Sequence, residues 1–388
     1  VRSLLTSFAT ALVLTAVALV ATAAKAVKYD SFTPGELWYD TKGEVINAHG
    51  GGMLYHDGTY YWFGEHKIAG SRGNSAQVGV HCYSSQDLYK WKDEGIALPV
   101  SDDPKSDIAR GCILERPKVI YNAKTGKFVM WFHLELKGEK YASALSGIAV
   151  ADKPAGPYTY LHSVRSNPGV WPMDFTPPAN YSDPDKLDSI PKHDRALVRD
   201  FEKGQMQRDM TLFVDDDGKA YHIYASEENG TTQIAELTDD YLGHSGRYTR
   251  AFIGRYMEGA AVFKRDGLYY FMGSNCTGWA PNAARSAVAP SIWGPWKELG
   301  NPAVDGTDGP GFKCGPGSGI GGGPKTTYDS QSTYILPVEG LKDAFIYMGD
   351  RWRPKDPIDG RYIWLPVEFK DGRFLVRWED KWDLSWFK

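Results

Sequence analysis

Hydrophobic positions along this chain come in short aromatic or β-branched bursts, and each burst follows a turn. H-D-G-T-Y-Y-W-F-G-E (56–65), K-T-G-K-F-V-M-W-F-H (124–133), D-D-G-K-A-Y-H-I-Y-A (216–225) and R-D-G-L-Y-Y-F-M-G-S (265–274) share this form. Glycine-containing turns of this kind favour tight hairpins, so each phrase predicts a pair of antiparallel strands. A second phrase closes each unit and reads as its outer strand: S-S-Q-D-L-Y-K-W (84–91), A-D-K-P-A-G-P-Y-T-Y (151–160), L-T-D-D-Y-L (237–242) and A-P-S-I-W-G-P-W (289–296). A fifth unit follows in S-T-Y-I-L-P-V (332–338), D-A-F-I-Y-M-G-D (343–350) and R-Y-I-W-L-P-V (361–367). Repeated four-stranded sheets around a channel make an all-β protein, a five-bladed β-propeller over residues 27–388. No stretch carries a sustained, capped helical period, which argues against a parallel α/β barrel. A β-sandwich would space its strands evenly, whereas uneven insertions separate these units. The largest insertion, 166–204, reads as an excursion between blades. Trp378, Trp382 and Trp386 are expected to complete the last blade beside the first.

Composition narrows the partner. A chain of 388 residues that is 42% hydrophobic can bury a large core, and a net charge of -4 argues against nucleic acid or an anionic membrane as the main partner. A neutral oligo- or polysaccharide fits better, since 13 Trp and 23 Tyr exceed the usual packing need and aromatic faces stack on sugar rings. Residues 1–26 have one early Arg, an apolar stretch and small residues at A-x-A spacing, the pattern of a secretory signal peptide cut after Ala23 or Ala26. An uncleaved membrane anchor is the other reading of that run. Export, whether to a periplasm, a cell surface or the medium, would place Cys82, Cys112, Cys276 and Cys314 where disulfides can form. Their spacing fits neither a zinc site nor a redox motif; three pairings stay open, as do free thiols. Sequence leaves the oligomeric state open.

Two acids stand at corresponding places. Asp209 precedes the strand and turn at 210–224, and Glu258 precedes those at 259–273. If each phrase is one blade, both carboxyls point toward a common centre. Glycosidic bond cleavage needs such a pair, one acid to protonate the leaving oxygen and another group to support attack or tune that acid. Taken singly, either residue would read as a strand-end acid facing solvent. The run Asp215-Asp216-Asp217 lacks the ligand pattern of a calcium loop and reads as a solvated hairpin turn. No cofactor is required by any motif, and no metal cluster is indicated.

At I-N-A-H-G-G-G (46–52), I-L-E-R-P-K-V-I-Y-N (113–122), N-C-T-G-W-A-P-N (275–282), Y-D-S-Q-S-T-Y (328–334) and M-G-D-R-W (348–352) the chain resembles glycoside hydrolase family 43. The branch is that of exo-β-1,3-galactanases, beside one of α-L-arabinofuranosidases and β-D-galactofuranosidases. The resemblance implies a five-bladed propeller and an exo-acting, inverting hydrolase, most simply of β-1,3-galactan, the backbone of arabinogalactan. A propeller that binds glycans without cleaving them is the alternative of another class. In this resemblance Glu258 matches the general acid and Asp209 the residue that orients it and modulates its pKa. Most of the family places a general-base Asp at the start of blade one, where this chain reads N-A-H-G-G-G-M-L-Y. Glu115 matches an acidic residue of the galactanase branch, as a base or a binder of sugar hydroxyls, and Gln331 matches a glutamine that holds the attacking water. Because neighbours on a strand point to opposite faces, an ion pair of Glu115 with Arg116 or Lys118 is not expected. Met257-Glu258-Gly259-Ala260 departs from the Arg-Glu-Ala-Pro of comparable galactanases. His49 reads either as a subsite wall or as part of a tight turn at the propeller centre. Trp279 is expected as a stacking platform, with Asp350 and Arg351 as contacts on the rim or floor. Relatives carry a metal ion at the channel centre, so a structural calcium is compatible with the family although nothing local requires it.

Overall fold

The computed structural model describes residues 29–177, 181, 190–304 and 323–388. The leader at 1–26 and Cys314 lie outside the described residues, and no described helix is long and apolar enough to cross a membrane.

Strands follow one another outward from a central axis. Blade one is β1 (His49–His56), β2 (Thr59–His66), β3 (Gly79–Ser85) and β4 (Lys92–Pro99). Blade two is β5 (Ile113–Asn122), β6 (Lys127–Glu135), β7 (Leu145–Ala151) and β8 (Thr159–Val164). Blade three is β9 (Met210–Val214), β10 (Ala220–Ser226), β11 (Thr231–Leu237) and β12 (His244–Ala251), and blade four is β13 (Met257–Arg265), β14 (Leu268–Asn275), β15 (Arg285–Ala289) and β16 (Lys297–Gly300). After β17 (Ala303–Val304), blade five is β18 (Gln331–Pro337), β19 (Phe345–Arg351), β20 (Arg361–Lys370) and β21 (Arg373–Arg377), with β17 pairing parallel to β21. The inner strands β1, β5, β9, β13 and β18 pack on their neighbours in that order and close back on β1, which makes a five-bladed β-propeller.

Burial explains the sequence pattern. Middle strands are covered on both faces by adjacent blades, so β3 and β10 are buried at every position and lose the period-two alternation of a half-exposed sheet. Outer strands such as β8 and β16 are largely exposed. The Asp-Gly turns join the first and second strands of their blades. Asp57 (φ 46°) with Gly58 (φ 77°), and Asp266 (φ 49°) with Gly267 (φ 75°), take the left-handed pair of conformations that a two-residue hairpin requires.

One expectation is corrected. The phrases 84–91, 237–242 and 289–296 are not outer strands but span the turns between third and fourth strands, and 151–160 reaches its outer strand only at Thr159; the other outer strands start at Lys92, His244 and Lys297. Their Asp residues tie down the turn backbone instead. Asp87 Oδ1 accepts from the N–H groups of Tyr89 (2.9 Å) and Lys90 (2.8 Å), and Asp240 Oδ1 accepts from Leu242 N–H (3.0 Å). In the excursion after blade two, a short helix α1 (Arg195–Arg199) is fastened to blade three by the buried Arg250, which bonds Asp194 (2.7 Å) and Glu227 (2.6 Å).

The ring closes through the chain ends. Phe32 and Trp382 exchange backbone hydrogen bonds (2.7 and 3.1 Å), their rings lie 4.5 Å apart, and both join the core shared by blades one and five. Trp386 packs against that same core, whereas Trp378 packs against the one between blades four and five. Replacing Trp382 with Ala removes a side chain only 5% exposed and should lower unfolding stability by about 3–5 kcal/mol, read from denaturant midpoints.

Candidate active site

A local irregularity recurs on the inner strands. Register slips between His49 and Gly52 in β1, between Glu115 and Lys118 in β5, and between Glu258 and Ala261 in β13. In each case the next residue is left-handed: Gly50 (φ 64°), Arg116 (φ 57°) and Gly259 (φ 60°). These are β-bulges, and a bulge re-aims a side chain that regular pleating would send elsewhere. His49, Glu115 and Glu258 therefore hold equivalent places in three blades. The bulge also overturns the argument from alternation, because Glu115 and Arg116 both line the central cavity.

That cavity has a volume of about 230 Å³ and is walled by Glu115, Asp209, Glu258, Gln331 and Trp279, together with Arg116, Glu65, Tyr141 and Trp352, which sequence reasoning missed. Glu258 Oε1 accepts from Asn229 Nδ2 (2.9 Å). Burial, then the charge of Asp209, pushes the Glu258 carboxyl up to about 7, so it carries its proton in mildly acidic to neutral water. Asp209 Oδ2 accepts from Arg116 Nη2 (2.8 Å) and from the Gly259 N–H (2.9 Å), the peptide directly following Glu258. One carboxylate thus fixes the acid's backbone and repels its ionised form.

Glu115 behaves in the opposite way. Burial would raise it, but the hydrogen bond and charge of His133, aided by Lys67 and Arg116, hold it down at about 2. His133 Nδ1 lies 3.2 Å from Glu115 and Nε2 lies 2.9 Å from Glu135, and Tyr141 donates to Glu115 at 3.0 Å. The ion pair of Glu115 is with His133; Arg116 pairs with Asp209, and Lys118 Nζ donates to the Gly50 (3.2 Å) and Arg116 (3.3 Å) carbonyls. Burial lowers Lys118 to about 7.

Gln331 is held on three sides. Its Oε1 accepts from Arg116 Nη2 (2.6 Å) and Trp352 Nε1 (2.8 Å), and its Nε2 donates to Ser274 Oγ (2.9 Å). Both carbonyl lone pairs are used, which leaves one N–H to point at a water oxygen. Trp279 is 41% exposed and meets Trp352 edge to face at 5.9 Å, forming one wall of the cavity.

His49, Asp350 and Arg351 do not line the cavity. His49 Nδ1 lies 3.3 Å from Asp350, its ring stacks on Tyr362 at 5.2 Å, and Asp350 also accepts from the Gly50 N–H (2.5 Å). Arg351 donates to the Tyr328 carbonyl (2.9 Å). All three are buried, and the contacts of His49 and Gly50 with Asp350 hold β1 against blade five. The glycines after His49 serve close packing as well: a side chain at Gly50 would strike Glu65, at Gly51 the Phe63 carbonyl, and at Gly52 Lys118. Blade one still contributes a carboxylate, from its second strand. Glu65, the register partner of His49, bonds Lys67 (2.5 Å) and accepts from Arg116 N–H (3.1 Å).

Among the described residues, Glu115, His133 and Asp209 bring potential ligand atoms within 4.8 Å of one another. Both nitrogens of His133 face carboxylates, which push its pKa up to about 9 despite burial, so a metal bound there would have to displace a proton. The hairpin acids Asp215 and Asp216 pair with Lys264 (2.6 and 2.8 Å). Cys82, Cys112 and Cys276 are free thiols, the first two buried and the third exposed.

A protonatable glutamate facing further carboxylates in the funnel of a five-bladed propeller defines a glycoside hydrolase. Residues 191–320 match the family described as glycosyl hydrolases family 43. A family 43 β-1,3-galactosidase solved with galactodeoxynojirimycin is 51% identical, over 91% of this chain and 100% of that one, with a TM-score of 0.82. An exo-β-1,3-galactanase from Clostridium thermocellum is 34% identical, over 91% of this chain and 67% of that one, with a TM-score of 0.72. A variant of the exo-β-1,3-galactanase from Phanerochaete chrysosporium, solved with β-1,3-galactotriose, is 31% identical over 92% of this chain and 68% of that one, TM-score 0.70. A β-D-galactofuranosidase of Aspergillus niger is 29% identical over 130 residues, 33% of this chain and 36% of that protein's length. The chain belongs to glycoside hydrolase family 43.

Proposed function

We propose that the protein is an exo-acting, inverting galactosidase that removes terminal galactose from β-1,3-galactan. The observation that carries this reading is Glu258, a glutamate raised to about 7 in a confined central cavity, with Asp209 beside it. The substrate follows from the relative of 51% identity, a β-1,3-galactosidase, whose whole length this chain covers.

In this reading Glu258 donates its proton to the glycosidic oxygen as the bond breaks, while the anionic Asp209 and Glu115 stabilise the oxocarbenium-like charge on the sugar. Glu115 is a weak base at a pKa near 2, so its part is to accept sugar hydroxyl hydrogen bonds and to hold negative charge. The remaining N–H of Gln331 orients the attacking water. Attack on a cationic centre acidifies that water as the new bond forms, so orientation replaces prior proton removal, and the proton the new hydroxyl sheds passes to solvent water, from which the ionised Glu258 is reprotonated. Glu115→Gln should lower kcat/KM about 10- to 100-fold through lost hydroxyl binding, and azide should not restore it; rescue by azide would make Glu115 the base.

Galactofuranoside cleavage is the second reading, favoured by the partial match to the Aspergillus niger enzyme. Monosaccharide release from β-1,3-galactan, arabinan and galactofuranan, followed by ion chromatography, separates the possibilities. Galactose from β-1,3-galactan alone is expected. Release from either of the other two alone would move the substrate to the neighbouring branch, and saturable binding without release would make the protein a glycan-binding propeller.

A further inference from the structure

Cys276 stands against the proposed acid. It follows the end of β14, and its Sγ lies 3.2 Å from Glu258 Oε1. Asn229, from the turn between β10 and β11, donates to the same oxygen at 2.9 Å and lies 3.6 Å from the sulfur, so three side chains close a triangle. The loop that carries the thiol is clasped. Asn282 accepts from Asn275 N–H (2.8 Å) and donates to the Asn275 carbonyl (3.0 Å) and Thr277 Oγ1 (2.6 Å), while Cys276 N–H donates to Asn275 Oδ1 (3.0 Å). By contrast, Cys82 and Cys112 are buried in the core between blades one and two.

We propose that Cys276 is a positioning residue for catalysis, its S–H donating to Glu258 Oε1 so that the acid is held in one orientation. This deepens the reading of Glu258 as proton donor and rests on it. A donor aimed at a carboxylate favours the charged form. It therefore works against burial and against the negative charges of Asp209 and Glu115, on the same side as Arg116. Arg208 and the Glu65–Lys67 pair stand elsewhere around the cavity. Burial and the neighbouring Glu258 raise the thiol itself, so it stays an S–H donor rather than a thiolate through the neutral range. The net effect is an acid poised lower than its surroundings alone would set it, and a sharper donor to the leaving oxygen.

The test is the pH profile of kcat/KM for Cys276→Ala and Cys276→Ser on β-1,3-galactobiose, with 4-nitrophenyl β-galactoside as a substrate whose leaving group needs little protonation. Glu258 must be protonated to act, so activity falls as pH rises through its pKa. Losing the S–H donor raises that pKa and should move the alkaline limb of the Ala variant up by about 0.5 to 1 pH unit on galactobiose. The Ser variant restores a donor and should bring the limb back to, or below, that of the wild type. The aryl substrate should show no matching shift. Partial misfolding scales every point alike and leaves the limb in place, so the readout survives it. An unmoved limb in the Ala variant would overturn the positioning role. Equal activity of the wild type and Glu258→Gln on galactobiose would instead overturn the assignment of the acid, so the two failures are distinct.

Discussion

Glu258→Gln is expected to lose about 10²- to 10⁴-fold in kcat/KM on β-1,3-galactan, the usual contribution of a positioned general acid. Glutamine keeps the size of the side chain and can still meet Asn229 and Cys276, but it has no carboxyl proton to give. The loss should shrink on an aryl galactoside, where the departing phenolate needs little protonation. Kinetics on the two substrates check this, and equal losses on both would mean that the substitution damaged binding or folding. In the wild type, activity on galactan should hold below pH 7 and fall as pH rises past it, because the productive form of Glu258 is the protonated one.

The second large effect concerns Asp209. Its negative charge is a main reason, after burial, that Glu258 is raised, and its carboxylate fixes both Arg116 and the Gly259 peptide. Asp209→Asn should lower kcat/KM about 10²-fold and move the alkaline limb toward lower pH by about one unit, since one unit corresponds to ~1.4 kcal/mol of lost repulsion. The direction is opposite to that of Cys276→Ala: a lost negative neighbour lowers the acid's pKa, whereas a lost hydrogen-bond donor raises it. The paired pH profiles check both signs, and an Asp209→Asn limb that moves upward would refute the electrostatic role.

Much of the fold could be read from residues because each blade repeats one local instruction, an Asp-Gly or related turn feeding a buried aromatic strand. The outer strands were harder. Their neighbourhood is marked by Asp and Pro turn chemistry more clearly than by apolar residues, so turn phrases such as 84–91 read as strands while exposed strands such as Lys297–Gly300 left little signal.

The site divides along the same line. Asp209 and Glu258 were visible through their common place ahead of a repeated phrase, and Glu115, Gln331 and Trp279 through the family motifs. Arg116 escaped because period-two reasoning sends it away from Glu115, and the bulge that reverses this has no period of its own: its left-handed residue is Gly in β1 and β13 but Arg in β5. The three glycines after His49 left two readings open, a subsite wall or a tight turn at the propeller centre. The orientation of His49 is set by Asp350, which lies far along the chain on blade five and reaches it only in the closed ring. Glu65 and Asn229 belong to a second strand and a turn whose local sequence is ordinary, and Cys276, although it sits in the N-C-T-G-W-A-P-N phrase, was read only as a candidate thiol; only convergence at the axis gives them a part.

The most direct test of the account is proton NMR of β-1,3-galactotriose during its first turnovers. An exo-acting, inverting enzyme turns the β linkage into α-galactose first, alongside galactobiose, with the β anomer growing in only by mutarotation. Initial release of β-galactose would contradict inversion, and an intact trisaccharide would contradict the galactosidase assignment itself.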